Sequence, residues 1–159
     1  MTHTGKCIAA KGVQPIVNFQ HKFKTTYLWG SYSPVDGDSF VSEIEGVNCK
    51  IFELYLSEFS KHRPEEFKIL VIDNAGFHST KNIQIPDNIY LLNIPPYCPE
   101  LNPCEQVWKY IKQRFKNQVF EDIKKLKLWL YDMVNSMTNE TIKSICSNHH
   151  YYDALLPLL

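Results

Sequence analysis

The chain has 159 residues, 44% hydrophobic and 13% aromatic, which is enough apolar side chain for about one domain with a genuine core. Its 17 basic and 17 acidic residues cancel, so net charge gives no argument for a nucleic-acid or membrane partner. No apolar run is long enough to span a bilayer, and five cysteines, an odd number with no Cys-x-x-Cys pair and no secretory segment at the polar N-terminus, favour a reducing cytosol with buried or inert thiols.

Residues 1–47 read as a β-meander. Strands are expected over 13–19, 25–32 and 39–44, with Val35–Asp38 as the turn between the last two. Asn48 is a helix cap for a segment from Cys49 to Ser60, whose Ile51, Phe52, Tyr55, Leu56 and Phe59 share one face. His62-Arg63-Pro64 stops it. The next run, Phe67 to Ile72, ends in four consecutive apolar residues, a pattern that suits a strand covered on both faces. Asp73 closes that run at its C-terminal edge, where open α/β sheets place their ligands. A short crossover helix is expected over Ser79–Ile85, then a second buried strand over Ile89–Ile94.

A proline-rich loop leads to the next helix, with Asn102 as N-cap and Pro103 at the first helical position. Glu105 is then the third helical residue, where a carboxylate can reach back to the cap and gains from the helix dipole. Cys104, Val107, Trp108, Ile111 and Phe115 form the core face, so Trp108 is a packing residue. Two more helices are expected over Ile123–Met137 and Glu140–His150. The order gives one domain, 1–159: a meander (1–47), then helix, two strands and the Glu105 helix (48–116), then C-terminal helices (117–159).

Charge is unevenly spread. Residues 1–35 hold four lysines and no acid, residues 36–105 hold twelve acids against five bases, and residues 109–127 hold seven bases against two acids. Basic flanks around an acidic middle fit metal ligands surrounded by phosphate contacts, and they fit ordinary solvated helix faces equally well. Lys109 and Lys112 follow Glu105 at four and seven positions, on roughly its face. An Asp at a turn and a Glu in a first helical turn each have a purely structural explanation. Together, at the ends of neighbouring strands, they also supply hard oxygen ligands suited to Mg²⁺ or Mn²⁺. Cys98, Cys104 and His78 do not have the spacing of a zinc site, and the His149-His150 pair reads as surface.

Two motifs carry a resemblance. Asp73-Asn74-Ala75-x-x-His78, followed by Pro95-Pro96-Tyr97-x-Pro99-Glu100-Leu101-Asn102-Pro103-x-Glu105-x-x-Trp108, resembles the DDE transposases of bacterial insertion sequences related to mariner elements. Gly12-Val13-Gln14-Pro15 and Gly30-Ser31-Tyr32-Ser33-Pro34 resemble that family's early strands, so the likeness covers most of residues 5–116. The resemblance implies an α/β, ribonuclease-H-like core in which a mixed sheet is flanked by helices. It implies Asp73 and Glu105 as the second and third acidic metal ligands, two Mg²⁺ (or Mn²⁺) ions, and DNA strand cleavage and transfer at transposon ends and target.

Asn74, His78 and Asn102 are carried over as supporting motif positions, and Lys109 and Lys112, placed by spacing alone, are candidates for phosphate contacts. The implied partners are DNA and, as an open arrangement, a second copy in a homodimer. No membrane and no small-molecule cofactor are expected, and the place is the cytoplasm, at the nucleoid. One departure stands out: the family's first Asp lies on an opening strand, and this chain has no acidic residue before Asp36. Asp36 and Asp38 read as turn residues, not as its replacement. The chain therefore resembles a C-terminal catalytic part lacking its first strand. The alternative is a catalytically inactive remnant that at most binds DNA or protein.

Overall fold

A computed structural model describes residue 11 and residues 25–73, 83–96, 98, 101–116 and 118–147. Their element order is β1 (Tyr27–Tyr32), β2 (Ser39–Ile44), α1 (Cys49–Lys61), β3 (Lys68–Ile72), β4 (Ile89–Asn93), α2 (Pro103–Phe115), α3 (Ile123–Asn135) and α4 (Asn139–Cys146). The strand expected over 13–19 lies outside the described residues. So do residues 79–82 of the expected crossover helix, and its last three positions, 83–85, are not helical. Among the described residues no helix is long and apolar enough to cross a membrane.

β1 and β2 form an antiparallel hairpin in which Trp29 faces Ser42, Gly30 faces Val41 and Ser31 faces Phe40. Its turn closes through Ser33 N–H to Asp38 O at 2.8 Å and Gly37 N–H to Ser33 O at 3.1 Å. Gly37 takes φ 77°, a left-handed conformation natural only to glycine. α1 starts where Asn48 Oδ1 accepts from Ile51 N–H at 3.0 Å, a cap that satisfies one of the helix's orphan donors. Phe52, Tyr55 and Leu56, at spacings of three and four, are its buried stripe. It ends at Lys61, and Arg63 turns the chain with φ 51°.

β3 and β4 pair in parallel, Ile69 opposite Tyr90 and Val71 opposite Leu92. No ladder joins this pair to the hairpin among the described residues, so the mixed sheet is seen as an antiparallel and a parallel piece. Side-chain alternation sorts both pieces into the same two sides. Trp29 and Phe40 of the hairpin, with Leu70, Ile72, Ile89 and Leu91 of the parallel pair, pack with α1 around Phe52, Tyr55 and Leu56. Tyr32 and Val41, on the hairpin's other side, pack with Val107 and Ile111 of α2, Ile142 and Cys146 of α4, and Met137. The hairpin thus lies between α1 and the α2–α4 layer.

The parallel pair differs from expectation. On its second side Ile69, Tyr90 and Leu92 are exposed by 59%, 56% and 45%, and no described helix packs there. Among the described residues, the four apolar residues that suggested cover on both faces are matched by α1 on one face.

Candidate active site

Asp73 immediately follows β3 and is exposed. The ladder is held to its end by Ile94 N–H donating to Ile72 O at 3.0 Å. Continuing the strand's alternation by one position groups Asp73 with Ile69 and Val71, on the side away from α1. Asn74 and His78 lie outside the described residues.

Glu105 lies in the first turn of α2 and is exposed. The sequence offered capping as an explanation for it, but among the described residues no hydrogen bond links its carboxylate to the cap. Capping falls instead to Asn102, whose Oδ1 accepts from Cys104 N–H at 3.0 Å, with Pro103 at the position where a missing N–H costs nothing. The start of α2 is fixed by its neighbours. Cys104 Sγ donates to Gly30 O at 3.2 Å, and Cys146 Sγ on α4 donates to Pro103 O at 3.8 Å. Val107 is wholly buried, and Trp108 meets the Tyr32 ring edge-on with centroids 5.9 Å apart, as its packing assignment requires.

α2 packs on the hairpin from the side opposite α1. Asp73 and Glu105 therefore belong to the same side of the strand layer, one at a strand end and one in a helix's first turn. Both are hard oxygen donors in contact with solvent. Burial pushes the Cys104 thiol up to about 12 and the Cys146 thiol to about 11, so both stay protonated at neutral pH. No group of three or more His, Cys, Asp or Glu side chains is arranged to hold a metal among the described residues.

The basic flank is less uniform than its sequence suggests. Lys127 pairs with Glu43 on β2, which lowers that carboxyl's pKa, and Lys125 pairs with Glu121. Arg114 sits over the Tyr110 ring, its Cζ 3.3 Å from the centroid. Lys109 and Lys112 are exposed on α2, with no ion pair among the described residues. Asp36 and Asp38 prove to be turn residues engaged elsewhere. Arg63 Nη1 donates to Asp36 at 2.7 Å, and His62 Nε2 lies 2.6 Å from Asp38 Oδ2. Partners 24 and 27 positions apart leave no mark in local spacing, so this junction was not readable in advance.

Comparison with known proteins follows the same lines. Residues 2–127 match the family described as DDE superfamily endonuclease. An uncharacterized protein, y4pE/y4sA, of Sinorhizobium fredii (strain NBRC 101917 / NGR234) is 31% identical over 98 residues, 60% of this chain and 73% of that protein. The Tc3 transposase of Caenorhabditis elegans is 26% identical over 147 residues, 83% of this chain and 44% of that protein. Among solved structures, the Mos1 transposase paired-end complex with left transposon end superposes with a TM-score of 0.70 at 18% identity. The Mos1 strand transfer complex superposes at 0.66 and 17%. Each match covers 91% of this chain and 46% of the Mos1 chain, so the chain spans less than half the length of Tc3 and Mos1. The likeness gives the fold, a ribonuclease-H-like α/β arrangement with flanking helices.

Proposed function

The chain belongs to the DDE superfamily of endonucleases, and from that membership we propose that it is the catalytic domain of an insertion-sequence transposase, cutting and joining DNA strands with divalent metal. The observation that carries this reading is the placement of Asp73 at the end of β3 and Glu105 in the first turn of α2, on one side of the strand layer. Both are exposed carboxylates, and so hard oxygen donors of the kind a hard cation takes. Bound Mg²⁺ or Mn²⁺, two ions in this reading, supplies Lewis acidity toward the attacking and leaving phosphodiester oxygens.

The chain's own residues position that chemistry. Asp73 gains rigidity from a ladder that runs to its last residue, and Glu105 from an α2 start pinned to β1 and α4. Asn102 supports Glu105 indirectly, by capping α2. Asn74 and His78 are assigned by motif to ordering the loop after Asp73. Lys109 and Lys112, one and two turns beyond Glu105, are assigned to DNA phosphates. Partners in this reading are transposon-end and target DNA and a second copy of the chain, in the cytoplasm at the nucleoid.

A second reading, a chain that binds DNA without cutting it, is favoured by one observation: no acidic residue precedes Asp36. The experiment is a strand-nicking assay on DNA with Mg²⁺ or Mn²⁺, run on the wild type, Asp73→Asn and Glu105→Gln. Metal-dependent nicking lost in both variants supports catalysis. Nicking that survives both removes these residues from the chemistry. DNA binding that weakens steeply with salt, in a wild type that does not nick, selects the second reading.

A further inference from the structure

We propose that Gly30 on β1 is a positioning residue for Glu105, acting through the ring of Tyr32. The inference rests on the metal-binding reading of Glu105 and deepens it. Gly30 and Tyr32 stand two residues apart on β1, on the side of the strand that α2 covers. The Tyr32 ring fills the space that a side chain at position 30 would need. A Cβ there would lie 2.7 Å from the ring's Cε2 and from the phenol oxygen, and 2.8 Å from Cζ. That is closer than real Cβ contacts, so even an alanine displaces the ring. Gly30, unlike Gly37, has no positive φ, so its need for glycine is one of space and not of backbone angle.

An exposed ring would swing aside at little cost. Tyr32 is instead buried, edge-on to Trp108 and clustered with Val107 and Ile111. A close-packed interior has little free room to absorb such a shift. These three neighbours lie on α2, within the two turns that follow Glu105, so the push reaches the helix that carries the carboxylate. Gly30 also meets that helix directly, since its carbonyl accepts the Cys104 thiol one residue before Glu105. One residue of β1 thus sets how closely α2 lies on the hairpin and where its first turn begins. Glu105 and Asp73 come from α2 and from the end of β3, which share no apolar cluster among the described residues. A shift of α2 on the hairpin therefore moves one carboxylate and not the other. Metal and catalytic constellations tolerate only about 0.5 Å of such misplacement.

The test is Mn²⁺ binding to the 159-residue chain, followed by electron paramagnetic resonance, which needs no strand cleavage. Wild-type binding is expected to be lost in Asp73→Asn and in Glu105→Gln. Gly30→Ala is expected to weaken it roughly threefold or more. Tyr32→Leu removes the ring atoms that the new Cβ would strike, so in that background Gly30→Ala is expected to cost nothing further. Tyr55→Phe, which loosens the half-core on α1, is expected to leave Mn²⁺ affinity unchanged, which separates positioning from general destabilisation. If Gly30→Ala does not fold, Cys104→Ala decides: loss of its donor to the Gly30 carbonyl is expected to weaken binding, and Cys104→Ser, which keeps a donor, to restore it. Affinity that Gly30→Ala leaves unchanged, or lowers equally with and without the Tyr32 ring, overturns this inference and leaves the metal reading standing. So does a Cys104→Ala variant that binds as the wild type does. Mn²⁺ binding that is absent, or indifferent to Asp73→Asn and Glu105→Gln, overturns the metal reading and this inference with it.

Discussion

Replacing Tyr32 by Phe is expected to stabilise this protein, against the usual direction for a buried tyrosine. Tyr32 is 7% exposed, and its hydroxyl has no hydrogen-bond partner among the described residues. The ring is held in place by the edge of Trp108 and by Gly30, where an added Cβ would come within 2.7 Å of the phenol oxygen. Burial, with the Cys104 thiol nearby, pushes the phenol's pKa far above its ordinary range, so the group stays neutral and simply lacks a partner. An unsatisfied buried hydroxyl costs roughly 1–3 kcal/mol. Deleting the oxygen forfeits a handful of dispersion contacts of about 0.1–0.2 kcal/mol each.

The net expectation is a gain of about 1 kcal/mol, or roughly 2–4 °C in Tm for a chain of this size. Tyr55 is the control. Its hydroxyl is 2.7 Å from Ser31 Oγ and donates to Phe40 O at 3.2 Å. Tyr55→Phe breaks these bonds and is expected to lose about 1–3 kcal/mol. Urea denaturation followed by tryptophan fluorescence compares the two. If Tyr32→Phe loses as much as Tyr55→Phe, the hydroxyl has a partner and the reasoning fails.

Two further expectations concern the hairpin turn. Gly37→Ala combines a left-handed φ of 77° with a Cβ placed 1.9 Å from the backbone oxygen of Asn139. Strain and overpacking together are expected to cost about 2–5 kcal/mol in a thermal or urea melt, and a loss below about 0.5 kcal/mol would refute the contact. The carboxyl of Asp36 is partly buried, which raises its pKa, but hydrogen bonds from Ser33 and Arg63 outweigh this and hold it down at about 2, against an ordinary 3.8. A depressed carboxylate contributes stability that is complete above its unfolded value and lost as pH falls toward the folded one. Wild-type urea midpoints are therefore expected to drop between about pH 5 and pH 2, and Asp36→Asn to flatten part of that slope. With Asp36 46% exposed, added salt shrinks the effect; parallel wild-type and variant curves would sink the assignment.

Much of this fold was legible because its signals are local. Asn48 and Asn102 cap helices that begin one residue later, as read from residue type and the apolar spacing behind them. The hairpin turn, both parallel strands, and the packing of Val107, Trp108 and Ile111 were visible for the same reason. What the sequence could not supply is what lies across from an element. The run Ile69 to Ile72 looks doubly buried because periodicity records the polarity of a strand and not the extent of the helix layer above it. Lys127 counted only as one of the bases of the 109–127 stretch, yet it meets Glu43, 84 positions earlier. At the candidate site, Asp73 and Glu105 stood out by motif. That they share one side of the strand layer follows only from tracing each hairpin face to its helix.

The hairpin is a party wall between two half-cores, one gathered on Leu56 and one on Val107. Each half-core is small, and among the described residues the α2–α4 group shares no apolar cluster with α1 except across those two strands. Loosening on one side therefore need not propagate to the other, so the molecule has a natural seam for partial opening. Glu105 belongs to the half gathered on Val107, and Asp73 follows the strand packed in the half gathered on Leu56.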